Sequence, residues 1–215
     1  MAGAPSPLPR DVADEIRRFA HFGRAPGVQQ DVAEAASAFD EGRLTEALRH
    51  LERAKTHAPR SPTIRALAGL VHYHRAAWRE AARELATYRR LSGRRDQDPV
   101  YADAVRALGR PEKAVEILGE LDPGEVPEEV YVEGLIVRAG ALRDLGRTAE
   151  AVTLLQTGPL EPVVVREHHL RLWYALADAL EEAGEGSEAR SWWDALYAED
   201  PEFFDVARRR LGVRG

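Results

Sequence analysis

One short pattern returns five times in this chain, and nothing else constrains its fold as much. The pattern is glycine, three residues, an acidic residue or lysine, then alanine. It appears as Gly42 to Ala47, Gly109 to Ala114, Gly146 to Ala151 and Gly184 to Ala189. A weaker copy, Ala76 to Ala81, has alanine in place of the glycine. The closing alanines, 47, 81, 114, 151 and 189, are 34, 33, 37 and 38 residues apart. A fixed period in that range marks a helical solenoid, in which each repeat buries its apolar face against its neighbours. Each copy predicts a helix–turn–helix. A helical apolar pattern precedes the glycine, which ends the first helix in a left-handed cap. The alanine falls early in the second helix, where two helices cross closely and only a small side chain fits.

Composition excludes several function classes. The 215 residues suffice to bury a sizeable core without a staple. There is no cysteine, so disulfides, thiol catalysis and cysteine-held zinc or iron–sulfur sites are excluded. The net charge of −6 argues against a general nucleic-acid binder, whose affinity is mostly phosphate neutralisation. No apolar stretch approaches the roughly 20 residues of a membrane helix. Met1 to Pro9 has no signal-peptide core, and Arg17-Arg18 is followed by a polar stretch rather than a twin-arginine signal. The expectation is a cytoplasmic protein. Arginine outnumbers lysine 28 to 2 and alanine numbers 35, as in a GC-rich, actinobacterial-like bacterium.

With five copies in register, the chain resembles the tetratricopeptide repeat (TPR) family over residues 28–201. The fifth copy carries the resemblance best. Trp173, Leu176, Ala177 and Leu180 fill first-helix slots, and Ala189, Trp193 and Pro201 fill the second-helix alanine, the aromatic and the closing proline. The first copy offers Ala35, Ala38, Gly42, Ala47, Leu51, Ala54 and Pro59. The second offers Gly69, Ala81 and Leu85, with Tyr88 where the family prefers a small residue. The resemblance implies an all-α, right-handed superhelical solenoid. Its repeats would span 28–61, 62–94, 95–127, 128–161 and 162–201.

Departures and ends complete the expected layout. Asp98-Pro99 shortens the first helix of copy three. Pro127 and Pro162 start longer first helices in copies four and five. Arg138 stands where the family wants a large apolar residue; it is paired or snorkelling, or the register slips there. Residues 1–8 form a disordered tail, 11–22 an N-terminal helix, 23–27 a loop, and 202–215 a C-terminal cap with a helix from Glu202 to Leu211.

No catalytic constellation emerges. The histidine pairs at 72/74 and 168/169 diverge on a helix, and none has the spacing of four used by zinc helices. No serine lies in a Gly-x-Ser-x-Gly elbow. Gly184-Glu185-Gly186-Ser187 lacks the lysine of a phosphate loop. The basic runs Arg89-Arg90, Arg94-Arg95 and Arg208 to Arg210 suit helix C-terminal ends. The four tryptophans read as core, Trp192 against Phe203 or Phe204. The expectation is no metal and no cofactor.

The resemblance implies that the first helices line a groove, through positions 2, 5, 6, 9, 12 and 13 of each copy. Copy one places Gln29, Val32, Ala33, Ala36, Phe39 and Asp40 there. Copy two places Thr63, Ala66, Leu67, Leu70, Tyr73 and His74. Copy three contributes Asp103 and Arg106. Copies four and five, counted from Val132 and Leu170, contribute Ile136, Arg143, Tyr174, Asp178 and Glu182. Val32, Phe39, Leu67, Leu70, Tyr73, Ile136, Arg143 and Tyr174 are the candidate peptide-contacting residues. The two-carboxylate clamp of chaperone-tail binders is absent, since Val32, Ala36, Leu67, Asp96 and Val100 occupy its positions. The implied function is a non-enzymatic scaffold or adaptor holding a partner's peptide or helix. The alternative is a ligand- or peptide-sensing regulator with helix 11–22 in the groove. Partners would be protein, neither nucleic acid nor membrane, and an imperfectly capped end leaves room for a homodimer.

Overall fold

A computed structural model describes residues 7–212. Most of the expected tail, and the last residues of the expected cap, lie outside that range. The described residues form twelve α-helices and no strand. The chain divides into two compact units, Met1–Leu108 and Gly109–Gly215.

The first unit holds α1 (Arg10–Phe19), α2 (Ala25–Asp40), α3 (Leu44–His57), α4 (Pro62–His74), α5 (Trp78–Ser92) and α6 (Asp98–Ala107). Its core gathers Ile16 of α1, Val28, Val32, Ala35 and Ala38 of α2, Leu51 and Ala54 of α3, and Ile64, Ala68 and Val71 of α4. The second unit holds α7 (Pro111–Gly119), α8 (Glu128–Asp144), α9 (Thr148–Leu155), α10 (Glu167–Ala183), α11 (Gly186–Glu199) and α12 (Val206–Arg210). Its core runs from Val132 of α8 through Leu155, Leu172, Leu176 and Leu180 to Trp193, Leu196 and Val206.

The repeat signature has a direct structural meaning. All five closing alanines, 47, 81, 114, 151 and 189, are fully buried. Gly42, Gly146 and Gly184 have φ of 72°, 72° and 85°. Each closes a Schellman cap. In the first, the Gly42 amide donates to Phe39 O (2.9 Å) and the Arg43 amide to Ala38 O (2.7 Å). The weak copy adopts the same cap without glycine: the Ala76 amide donates to Tyr73 O and the Ala77 amide to His72 O, both at 2.9 Å. Ala76 therefore sits at φ 54°, where an L side chain is strained. Ala76→Gly is expected to stabilise the protein by about 0.5–1 kcal/mol, the relief of strain less the added chain entropy. Urea unfolding of the two proteins measures it.

Gly69 marks a close approach of α4 to α5. A Cβ there would lie 2.5 Å from Leu85 Cγ, and Leu85 is itself buried with no room to retreat. Tyr88 is accommodated because the loop between α5 and α6 receives its hydroxyl, which donates to Asp96 at 2.6 Å.

Three expected boundaries are corrected. Residues 23–27 are not all loop, because α2 already begins at Ala25. Pro26 falls in the first turn, where its missing N–H is no loss. Pro162 does not start the fifth first helix; α10 begins at Glu167. The run Val163-Val164-Val165 is β-branched and poor at starting a helix. The loop is instead fixed by the Trp173 indole, which donates to Leu160 O at 3.1 Å. The C-terminal helix does not run from Glu202 to Leu211, because α12 spans only Val206–Arg210. Phe204, at φ 48°, and an Asp200 carboxylate accepting from the Glu202 amide (3.0 Å) turn the chain before it. Trp192 meets Trp173 (ring centroids 5.9 Å apart), while Phe203 and Phe204 pack on Tyr174.

Candidate interaction surface

In the first unit, the candidate residues fall into two groups. Val32 is corrected: at 2% exposure it belongs to the core, in the cluster that Ile16 of α1 helps to form. Phe39, Leu67, Leu70 and Tyr73 are half-buried on α2 and α4. Phe39 meets His74 edge-on at 5.1 Å, and Tyr73 meets Trp78 at 5.2 Å. The Tyr73 hydroxyl donates to Asp103 of α6, which also accepts from Arg106 at 2.8 Å. Polar bonds thus fix the Tyr73 ring in place.

The N-terminal helix packs on the starts of these first helices. Glu15 of α1 accepts from the Ser61 hydroxyl (2.6 Å) and the Thr63 hydroxyl (2.7 Å) at the start of α4. Gln29 of α2 donates to Ala13 O at 2.9 Å. Gln29 and Thr63 both hold the second position of their copies, so α1 occupies that end of the face.

In the second unit, the charged candidates are bonded to one another. Arg143 of α8 pairs with Asp178 (2.8 Å) and donates through Nε to Glu182 (2.8 Å), both on α10. Glu182 also accepts from Thr148 at 2.7 Å. Thr148 and Arg143 hold its carboxyl below the usual range. Ile136 is half-buried and packs on the core. Tyr174 faces the C-terminal cap. Its ring lies 5.0 Å from Trp193 and 5.3 Å from Phe204, and its hydroxyl donates to Asp205 at 2.6 Å. Burial, then the Asp205 carboxylate, push its pKa up to about 12. Most arginines of the basic runs are matched as well. Arg89 and Arg95 face the buried Asp98 at 3.3 and 3.4 Å, Arg94 pairs with Asp96, and Arg209 with Asp178.

One cluster was hidden from sequence reasoning. His168 and His169 diverge in an ideal helix, yet at the start of α10 both Nε2 atoms reach Glu128 Oε1 of α8, at 3.0 and 3.1 Å. The partner carboxylate lies 40 residues away in the chain, with no local signal. These three residues could in principle hold a cation. The hydrogen bonds work against it. His169 Nδ1 accepts from the Arg166 amide at 3.0 Å, taking the place of a capping-box glutamate. A neutral imidazole has one N–H, so the His169 proton sits on Nε2 and is donated to Glu128. An ion could take that nitrogen only by breaking the cap.

Burial, followed by the neighbouring His168, lowers the His169 pKa. Burial also lowers that of His72, whose Nδ1 is buried without a partner. Both rings favour the neutral form in the fold. Between the ordinary value, about 6.5, and the lowered one, the unfolded chain binds more protons than the folded chain. Stability is therefore expected to fall as pH drops below about 6.5. His169→Gln should flatten that slope, as read by Tm from pH 7.5 to 5.

No protein-family model matches the chain. No curated protein matches it either. Several solved structures do. TTC0263, a thermophilic TPR protein of Thermus thermophilus, is 20% identical with a TM-score of 0.63, covering 86% of this chain and 97% of its own. YrrB, described as a TPR protein with an unusual peptide-binding site, is 16% identical with a TM-score of 0.58, covering 86% and 91%. A putative kinesin light chain with nearly identical TPR-like repeats, from Podospora anserina, is 19% identical with a TM-score of 0.61, covering 85% and 96%. The fold is that of the tetratricopeptide repeat proteins. Among the described residues, no helix is long and apolar enough to cross a membrane.

Proposed function

We propose that the protein is a non-enzymatic interaction module that docks an extended peptide or a helix of a partner protein. The docking face is the one on α2 and α4 carrying Phe39, Leu67, Leu70 and Tyr73. One observation supports this most: the face is apolar and aromatic, only half-buried, and its central tyrosine is oriented by Asp103. A rigid aromatic anchor lowers the entropy lost on binding. Fold alone does not assign function, so the reading rests on these residues. YrrB is a relative in fold that is described as having a peptide-binding site, which is consistent with this use. Ile136, Arg143 and Tyr174 have a lesser role here, because Arg143 and Tyr174 are already engaged within the second unit.

A regulatory variant of the reading is favoured by α1. This helix holds the second positions of the first two copies through Gln29 and Thr63. It would then limit how far a partner extends along the face.

Leu70→Arg tests the proposal. The variant is expected to keep the wild-type circular dichroism spectrum and to lose the partner captured from native lysate by wild type. Unfolding of the variant would assign Leu70 to the core. Equal capture by both proteins would move the docking surface elsewhere.

A further inference from the structure

The second helices of the third and fourth copies are short. α7 has 9 residues and α9 has 8, whereas α8 has 17. The two short helices leave part of α8 uncovered, and a notch of about 440 Å³ opens there. Val115 of α7, Leu142 of α8 and Leu154 of α9 form its apolar walls, and Arg138 of α8 points into it. This is a different surface from the docking face proposed above.

Arg138 is the unusual member of this set. Its Nε is buried and has no hydrogen-bond partner. It enters no ion pair among the described residues. Its guanidinium lies over Gly119, at ordinary contact distance: a Cβ there would be 3.5 Å from Nη2. The other donors of the notch are committed. Arg147 is held by Glu150 in a two-bond fork at 2.6 Å each. The Thr153 and Thr157 hydroxyls donate to Ala149 O and Leu154 O, at 3.0 and 2.6 Å. The notch therefore offers one unmatched positive charge against an apolar wall. The guanidinium charge is unpaired among the described residues, and a carboxylate in the notch would match it through the Nη atoms, which are not sealed off as Nε is.

We propose that this notch binds a small monocarboxylic acid with an apolar chain, its carboxylate on Arg138 and its chain along Val115, Leu142 and Leu154. The charge count favours a monoanion. Arg147 and Glu150 cancel, which leaves the single positive charge of Arg138 for one carboxylate to match. A volume of this size suits a small molecule.

The test is a methyl NMR titration of the full chain with octanoate, with octanol as the uncharged control. Octanoate is expected to shift the methyls of Val115, Leu142 and Leu154 and to bind at least about tenfold more tightly than octanol. Arg138→Met keeps the apolar stem and should abolish that preference. Arg138→Lys, which keeps the charge, should retain part of it. Equal binding of the acid and the alcohol to wild type overturns the proposal without reference to any variant. So does an absence of shifts at the three residues. A third ligand, a short peptide ending in leucine with a free carboxylate, is compared with its amide. Saturation by that peptide but not by octanoate would reassign the notch to chain termini and overturn the free-acid reading.

Discussion

Trp193→Ala is expected to lower the unfolding free energy by about 3–5 kcal/mol, the range for truncating a large buried aromatic. The side chain is 1% exposed and lies in the core of the second unit. Three contacts beyond packing end with it. Its Nε1 donates to Glu181 at 2.9 Å, its ring meets Tyr174 edge-on at 5.0 Å, and the Arg209 guanidinium lies 4.9 Å above it. Arg209 belongs to α12, so the truncation also loosens the C-terminal cap. Trp193→Phe keeps most of the volume and loses the indole bond, and should cost about 1–2 kcal/mol. Urea unfolding read by far-UV circular dichroism separates the two, since the other tryptophans confuse a fluorescence signal. A loss below about 1 kcal/mol for the alanine variant would mean that the cap and core do not depend on this ring.

Glu84→Ala should cost about 3 kcal/mol, the low end for removing one member of a buried ion pair. Glu84 lies on α5 with 1% exposure. It accepts from Arg65 of α4 at 2.7 Å and from Lys55 of α3 at 3.2 Å, so one carboxylate joins three helices. Both cations are mostly buried and would lose their shared carboxylate, Lys55 keeping Glu52 and Arg65 keeping only the Pro59 carbonyl. Burial alone would raise the Glu84 pKa, but Arg65 and Lys55 reverse the sign and leave it lowered. Its contribution is therefore present above about pH 4.5 and is lost as pH falls through the lowered value. A second arm distinguishes pairing from packing. Glu84→Leu combined with Lys55→Met and Arg65→Met removes all three charges and should regain most of the loss, because apolar replacement of a whole buried network is often neutral. If the triple variant is no better than Glu84→Ala, packing rather than stranded charge explains the loss.

The fold was legible because each repeat writes its tightest contact in small residues. The closing alanines can be found by spacing alone, and each proves fully buried. Ala76 shows how far the cap geometry tolerates its weakest signal: the same two hydrogen bonds form around a strained alanine. The misplaced boundaries share a cause. Pro162 and Pro201 each signal a break, and Pro26 falls within the expected 23–27 loop, but a proline does not say on which side of it the helix lies. At Pro26 the helix had already begun, and at Pro162 a β-branched run delays it by several residues.

The site was less legible, since exposure and pairing are tertiary. Val32 has the slot of a surface residue, yet it joins the core that α1 shares through Ile16. Arg143 looks like a free basic contact until Asp178 and Glu182 of the next first helix are brought to it. Glu128 with His168 and His169, and Arg138 over Gly119, join residues far apart in sequence. For Arg138 a signal did exist, an arginine in an apolar slot. Its snorkelling reading agrees with a half-buried side chain at an open notch, on a helix whose Val132, Leu135, Ala139 and Leu142 are buried.

The most direct test of the proposed docking face is site-specific photo-cross-linking in cells. A photoreactive phenylalanine analogue replaces Leu70 in one protein and Arg49, exposed on α3, in another. The account predicts a discrete cross-linked protein from position 70, with the adduct mapped to a single segment of that partner, and none from position 49. Cross-links of equal yield from both positions, or from position 49 alone, would contradict it.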